Sequence, residues 1–161
     1  MAENLLIVHG GGPTAVMNGS LYGAIKEAKK SDEIGHIYGA NNGTGGFLKK
    51  EFLELENVPE EKLKLLLQTP GTAIGTSRDP IEQEHYEKMA DILEEENIKY
   101  VLFNGGNGTM DTCGKLHKTC QKRGLDVKVM GIPKTTDNDI AVTDHSPGFG
   151  SAARYMAACT Q

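Results

Sequence analysis

The stretch Asn4-Leu5-Leu6-Ile7-Val8-His9-Gly10-Gly11-Gly12-Pro13 decides the fold. Its apolar run is too short for a buried helix and is stopped by glycine and proline, as a fully buried strand is. Beyond it, Met17, Leu21, Ala24, Ile25 and Ala28 recur at helical spacing. The pattern reads strand, glycine loop, helix, which is the opening of a βαβ unit.

Working outward, the same grammar repeats. Ile34 to Tyr38 reads as a strand running into the loop Asn42-Gly43-Thr44-Gly45-Gly46, and Leu63, Leu66 and Leu67 mark a short helix stopped by Pro70-Gly71. Tyr86, Met89, Ala90 and Leu93 lie on one helix face, and the strand Tyr100 to Phe103 leads into Asn104-Gly105-Gly106-Asn107-Gly108-Thr109. Cys113, Leu116 and Cys120 line the next helix, Val127 to Ile132 reads as a strand ending in a polar loop, and Phe149 to Cys159 begins a further helix. Alternating strands and helices predict an α/β chain: a three-layer, Rossmann-like domain with a mainly parallel sheet. The loops after Val8, Phe103 and Ile132 are then expected along the carboxyl edge of the sheet, where such folds bind ligands.

Composition narrows the function classes. The 161 residues suffice for one packed domain and are short for two. A net charge of -5 argues against broad nucleic-acid binding, and no apolar run reaches the ~20 residues of a membrane helix. The first residues lack the basic and apolar pattern of a secretory leader, so a cytoplasmic location is expected. Cys113, Cys120 and Cys159 have neither disulfide arithmetic nor zinc-ligand spacing. Glu94-Glu95-Glu96 reads as a solvated helix face. The helical pattern runs to Gln161 without a cap, which is expected of a piece of a longer protein.

Four loops carry candidate chemistry. Gly10-Gly11-Gly12 lets backbone N–H groups approach an anion at a helix start, and Asn104 to Thr109 repeats the device; both also fit plain tight turns. Arg78, in Gly71-Thr72-Ala73-Ile74-Gly75-Thr76-Ser77-Arg78, is a cation among small residues, suited either to a transferring phosphoryl group or to a surface ion pair. In Pro133-Lys134-Thr135-Thr136-Asp137-Asn138-Asp139, one carboxylate could take a hydroxyl proton while another places a metal ion. The same tripeptide, Asp137-Asn138-Asp139, also suits an Asx-rich turn.

In order along nearly the whole chain, Gly11-Gly12 through Asn18, GTAIGTSR, GGNGT, PKTTDND and DHSPGFGSAAR resemble the phosphofructokinase family. The resemblance implies Mg2+-dependent transfer of a phosphoryl group to the 1-hydroxyl of fructose 6-phosphate in glycolysis. It casts Asp137 as general base, Arg78 as the stabiliser of the transferring group, and Thr135, Asp137 and Asp139 as substrate contacts. Gly11, Gly12, Arg78, Gly106, Asn107, Gly108 and Thr109 become the donor site, with Asn107 and Asp139 toward the metal.

Two departures from the family pattern carry weight. Asn107 stands where GGDGT has a carboxylate. Gly108 leaves room for a nucleotide, as in ATP users, whereas Lys134 and the opening GGGPTAVMN resemble the pyrophosphate branch. ATP is the expected donor and pyrophosphate the alternative. Residues 1–161 are expected to form the donor-binding domain, with the sugar-phosphate-binding half absent, the isolated chain inactive and the full-length protein a homo-oligomer. A non-catalytic nucleotide- or phosphate-binding module is the competing class. An NAD or lipid kinase is disfavoured by PKTTDND and PGFGSAAR.

Overall fold

The computed structural model describes residues 2–160. Strand β1 (Glu3–His9) lies at the centre of a five-stranded sheet with β2 (Ile34–Ala40) on one side and β4 (Ile98–Gly105) on the other. Beyond β4 lies β5 (Lys128–Pro133), and beyond β2 lies the short β3 (Phe52–Glu54), giving the order β3-β2-β1-β4-β5. All neighbours are parallel except β2 and β3. The antiparallel β3 escapes sequence reasoning because three residues of mixed polarity carry no periodic signal.

Strand β1 explains the layering. Successive side chains point to opposite faces, so Leu5 and Ile7 enter one core cluster while Leu6 and Val8 enter another. The first cluster is closed by Leu21 and Ile25 of α1 (Ala15–Ala28) together with Leu63. The second takes Phe47 of α2 (Gly43–Leu48), Tyr86, Met89 and Leu93 of α4 (Gln83–Glu95), and Cys113, Leu116 and Cys120 of α5 (Asn107–Lys122). The expected three-layer α/β domain is thus present, with α3 (Glu60–Lys64) lying between β3 and α4 in sequence.

Local differences from the sequence reading have physical causes. The glycine-rich segment after Asn42 winds into α2 rather than remaining a loop. Of the three leucines assigned to one helix, Leu63 belongs to α3, while Leu66 and Leu67 fall in a 3-10 turn, Leu65–Gln68, with Leu67 exposed. Glu94 pairs with Arg123, and Glu95 and Glu96 with Lys50, on a solvated surface. The last helix, α6 (Phe149–Cys159), forms as expected but has no buried residue. No described helix is long and apolar enough to cross a membrane.

Candidate active site

The carboxyl ends of β1, β4 and β5 meet as the strand pattern requires. Gly10 donates its N–H to the Asn104 carbonyl at 2.9 Å, and Lys134 donates its N–H to the Gly105 carbonyl at 2.8 Å. The two glycine loops are welded by one side chain: a Cβ at Gly10 would lie 2.5 Å from Thr109 Oγ1, and one at Gly105 would strike the same oxygen. Glycine is required at both positions so that the buried Thr109 can sit between the loops. Thr109, expected as a donor contact, is thus the side chain that holds the two glycine loops together.

Between these loops and α2 opens a cleft of ≈ 400 Å³ that includes Gly11, Arg78, Gly106, Gly108 and Thr109 in its lining. Five of the seven expected donor residues thus line one cleft, while Gly12 and Asn107 stand outside its lining. At Gly108 an added Cβ would meet nothing within 4 Å, so this helix start faces open space. The cleft also takes in Thr44, Ser77, Asp79, Ile81 and Thr112. Ser77 and Asp79 could have been found from their places beside Arg78, but Thr44 arrives from α2, whose proximity is purely tertiary.

Arg78 is brought here by its loop. Asn18, fully buried on α1, donates Nδ2 to the Thr69 carbonyl at 2.8 Å and accepts the Ala73 N–H on Oδ1 at 2.8 Å. His9 Nδ1 meets Thr72 Oγ1 at 2.6 Å, and Thr76 Oγ1 donates to the Gly11 carbonyl at 2.8 Å. These bonds stitch residues 69–77 to the first glycine loop and leave the Arg78 guanidinium beside Gly12, with Nη2 3.6 Å from where a Gly12 Cβ would stand. His9 itself is fully buried, and burial pushes its imidazole down to about 4, so the ring is neutral at pH 7.

Lys134 is the second cation. It is buried, with Nζ donating to the Gly12 carbonyl at 2.8 Å. Burial, and after it the Arg78 charge, pulls its pKa below the ordinary lysine value, while Asp137 pulls the other way. Among the described residues no carboxylate forms an ion pair with Arg78 or Lys134. Two cations without an ion-pair partner, both beside Gly12 and two glycine loops, are an arrangement that could hold an anion.

The PKTTDND loop continues from β5. Thr135 is buried and its Oγ1 accepts the Asp137 N–H at 3.0 Å, leaving the Asp137 side chain exposed. Asp139 Oδ2 accepts from Asn107 Nδ2 at 2.6 Å, so the two residues expected toward a metal are in direct contact. Asn138 adopts the left-handed conformation, φ 54°, and its amide binds residues 144 and 146. The middle residue of DND thus closes a longer loop to residues 144 and 146 rather than a local Asx turn, while Asp137 stays exposed and Asp139 meets Asn107.

The family model described as phosphofructokinase matches residues 4–161. The chain is 35% identical over 153 residues to a pyrophosphate–fructose 6-phosphate 1-phosphotransferase of Rhodospirillum rubrum, covering 95% of this chain and 38% of the relative. It is 32% identical to an ATP-dependent 6-phosphofructokinase of Entamoeba histolytica, covering 91% of this chain and 33% of the relative. The crystal structure of a pyrophosphate-dependent phosphofructokinase from Nitrosospira multiformis superposes with a TM-score of 0.94 at 35% identity, covering 99% of this chain and 40% of that one. The chain thus spans about two fifths or less of the length of these relatives. A family match over almost the whole chain, on a fold that superposes closely on a solved phosphofructokinase, means that the chain belongs to the phosphofructokinase family.

Proposed function

We propose that the polypeptide carrying this chain transfers a phosphoryl group from pyrophosphate to the 1-hydroxyl of fructose 6-phosphate, and that residues 1–161 form its donor-binding part. The observation that carries this reading is the buried Lys134 ammonium, held at the Gly12 carbonyl beside Arg78 without a carboxylate partner. A compact polyanion between two glycine loops supplies the missing negative charge. Four relatives, 34 to 39% identical over more than nine tenths of this chain, bear pyrophosphate in their names, which supports that donor over the ATP expected from Gly108.

In this reading Asp137 takes the proton of the attacking hydroxyl on its carboxylate, and Arg78 and Lys134 balance charge on the transferring group. Among the described residues no group of three or more His, Cys, Asp or Glu side chains could hold a metal ion by itself. One carboxylate and one amide in contact nevertheless fit Mg2+, which commonly keeps few protein ligands and takes the rest from substrate phosphates and water. Asp139 and the Asn107 amide oxygen would hold it, and Mg2+ would neutralise donor oxygens.

ATP is the second reading, favoured by the open space at Gly108 and by a cleft that continues to Ile81 and Thr112. A donor competition on the complete polypeptide, with fructose 6-phosphate and Mg2+, separates the two. Pyrophosphate is expected to exceed ATP in kcat/KM by at least about tenfold, equivalent to ~1.4 kcal/mol. The reverse preference, abolished by Gly108→Asp, would establish ATP instead. Turnover with neither donor would reject the kinase reading.

A further inference from the structure

Asn138 stands between two carboxylates, yet its side chain is committed elsewhere. Its Oδ1 accepts the Ser146 N–H at 2.8 Å, and its Nδ2 donates to the Asp144 carbonyl at 3.1 Å. One amide thus uses its donor and its acceptor to close the loop that leaves the site at Asp139 and returns at Ser146. The backbone at Asn138 is left-handed, with φ 54°, a conformation that asparagine tolerates and most residues resist. Just outside these bonds, Thr135 and Gly148 form an isolated parallel bridge, and Thr135 Oγ1 takes the Asp137 N–H. Asp137 and Asp139 therefore flank a residue whose backbone turn and side chain are both tied to the returning segment. The loop being tied is otherwise open: residues 141–145 are exposed, and Val142 at its tip is itself left-handed, with φ 65°.

We propose that Asn138 is a positioning residue for phosphoryl transfer, holding the Asp137 and Asp139 carboxylates in register with the anion site through the loop of residues 139–146. This rests on the functional reading above. The physical argument is one of local rigidity. Asp139 reaches Asn107 on α5, and Asp137 lies close enough to Lys134 for its charge to be felt there. Neither carboxylate is buried, so packing does not hold them. Their directions depend on the backbone between them, and that backbone is set by the Asn138 amide and its left-handed turn. The donor loops are braced separately, by Thr109, Thr76 and Asn18. Loss of the Asn138 tether is therefore expected to impair proton removal while donor binding survives.

The experiment compares Asn138→Gly and Asn138→Asp with the parent in the complete polypeptide, using fructose 6-phosphate, Mg2+ and the better of pyrophosphate and ATP. Asn138→Gly keeps the left-handed backbone and removes both side-chain bonds. It is expected to lower kcat by roughly tenfold to a hundredfold, the scale of a small misplacement of reacting groups, with donor KM within about threefold. Hydrogen exchange of the Ser146 amide, which reads the tether without any turnover, should quicken at least about tenfold in the same variant. Asn138→Asp retains an acceptor for the Ser146 N–H, so Ser146 protection should return. A parent protein without turnover would sink the functional reading alone, and the Ser146 exchange rates would still judge the tether. With an active parent, Asn138→Gly within twofold of parental kcat, or with unchanged Ser146 exchange, overturns the proposal. Should that variant not fold, Asn138→Asp decides: it should keep both Ser146 protection and a kcat within about threefold of the parent, and lost protection at parental kcat, or lost kcat with protection kept, overturns the proposal equally.

Discussion

The glycine loops after β1 and β4 and the polar loop after β5 share one edge of the sheet but are held there by different means. At the first two, close packing leaves little choice: Thr109 fills the space that side chains at Gly10 and Gly105 would need, and both loops sit on fully buried strand ends. At the third, position depends on a few directional bonds. Those made by Asn138 and Thr135 hold a loop whose tip is solvent-exposed, followed by a helix with no buried residue. The contrast teaches that the glycine-loop side of the edge is preformed by steric constraint, whereas the carboxylate side is set by hydrogen bonds that single substitutions can release.

The largest effect should come from breaking the packed side. Gly10→Ala places a methyl 2.5 Å from Thr109 Oγ1 and 3.0 Å from its Cγ2, and overpacking of this kind is expected to cost about 3 kcal/mol in urea unfolding. Adding Thr109→Ala should recover more than half of that loss, because every nearest atom belongs to this one side chain. At Gly105 the same rescue should fail, since the Gly10 carbonyl oxygen, 2.5 Å from the added Cβ, remains. Equal rescue at both glycines would contradict the packing account.

Acid should loosen the packed side next. His9 titrates near 6.5 when unfolded and at about 4 when buried, so between these values the unfolded chain binds more protons. Its contribution is therefore fully present above about pH 6.5 and is lost as pH falls toward 4, amounting to roughly 3 kcal/mol at most. A shallower stability slope between pH 4 and 6.5 in His9→Asn than in the parent is the expected result; equal slopes would assign the acid sensitivity to other groups.

The smallest effect lies on the open side and has the opposite sign. Val142 is fully exposed, β-branched and left-handed, so Val142→Gly relieves backbone strain without removing a contact and should stabilise by about 1 kcal/mol. An unchanged or lowered melting temperature would show that the strain is offset by the greater freedom of glycine in the unfolded chain.

Much of this was legible in advance for a reason visible in particular residues. Leu5 to Val8 form an unbroken buried run, which only a central parallel strand requires, and the glycines that follow mark the turns of such a fold. The chemistry-bearing loops were legible because arginine, lysine and aspartate among small residues have few structural uses. Less legible were the side chains that act through their position. His9, Asn18 and Asn138 look ordinary in sequence, yet each is placed by partners distant in the chain or folded back upon it: Thr72 for His9, the 69–73 segment for Asn18, residues 144 and 146 for Asn138. The contact between Asn107 and Asp139 was equally hidden, since 32 residues separate them.

By itself, then, the sequence determined the alternation of strand and helix, the carboxyl edge as the place for chemistry, and the family. Periodicity and turn residues are local properties, and ordered motifs survive without coordinates. Only the tertiary structure decided that Thr109 locks two glycine loops together, that Lys134 is buried against Gly12 beside Arg78, and that the middle residue of DND serves the backbone while Asp137 stays exposed and Asp139 meets Asn107. These are consequences of which surfaces meet, and hydrogen bonding and close packing act across space between residues that the chain itself keeps far apart.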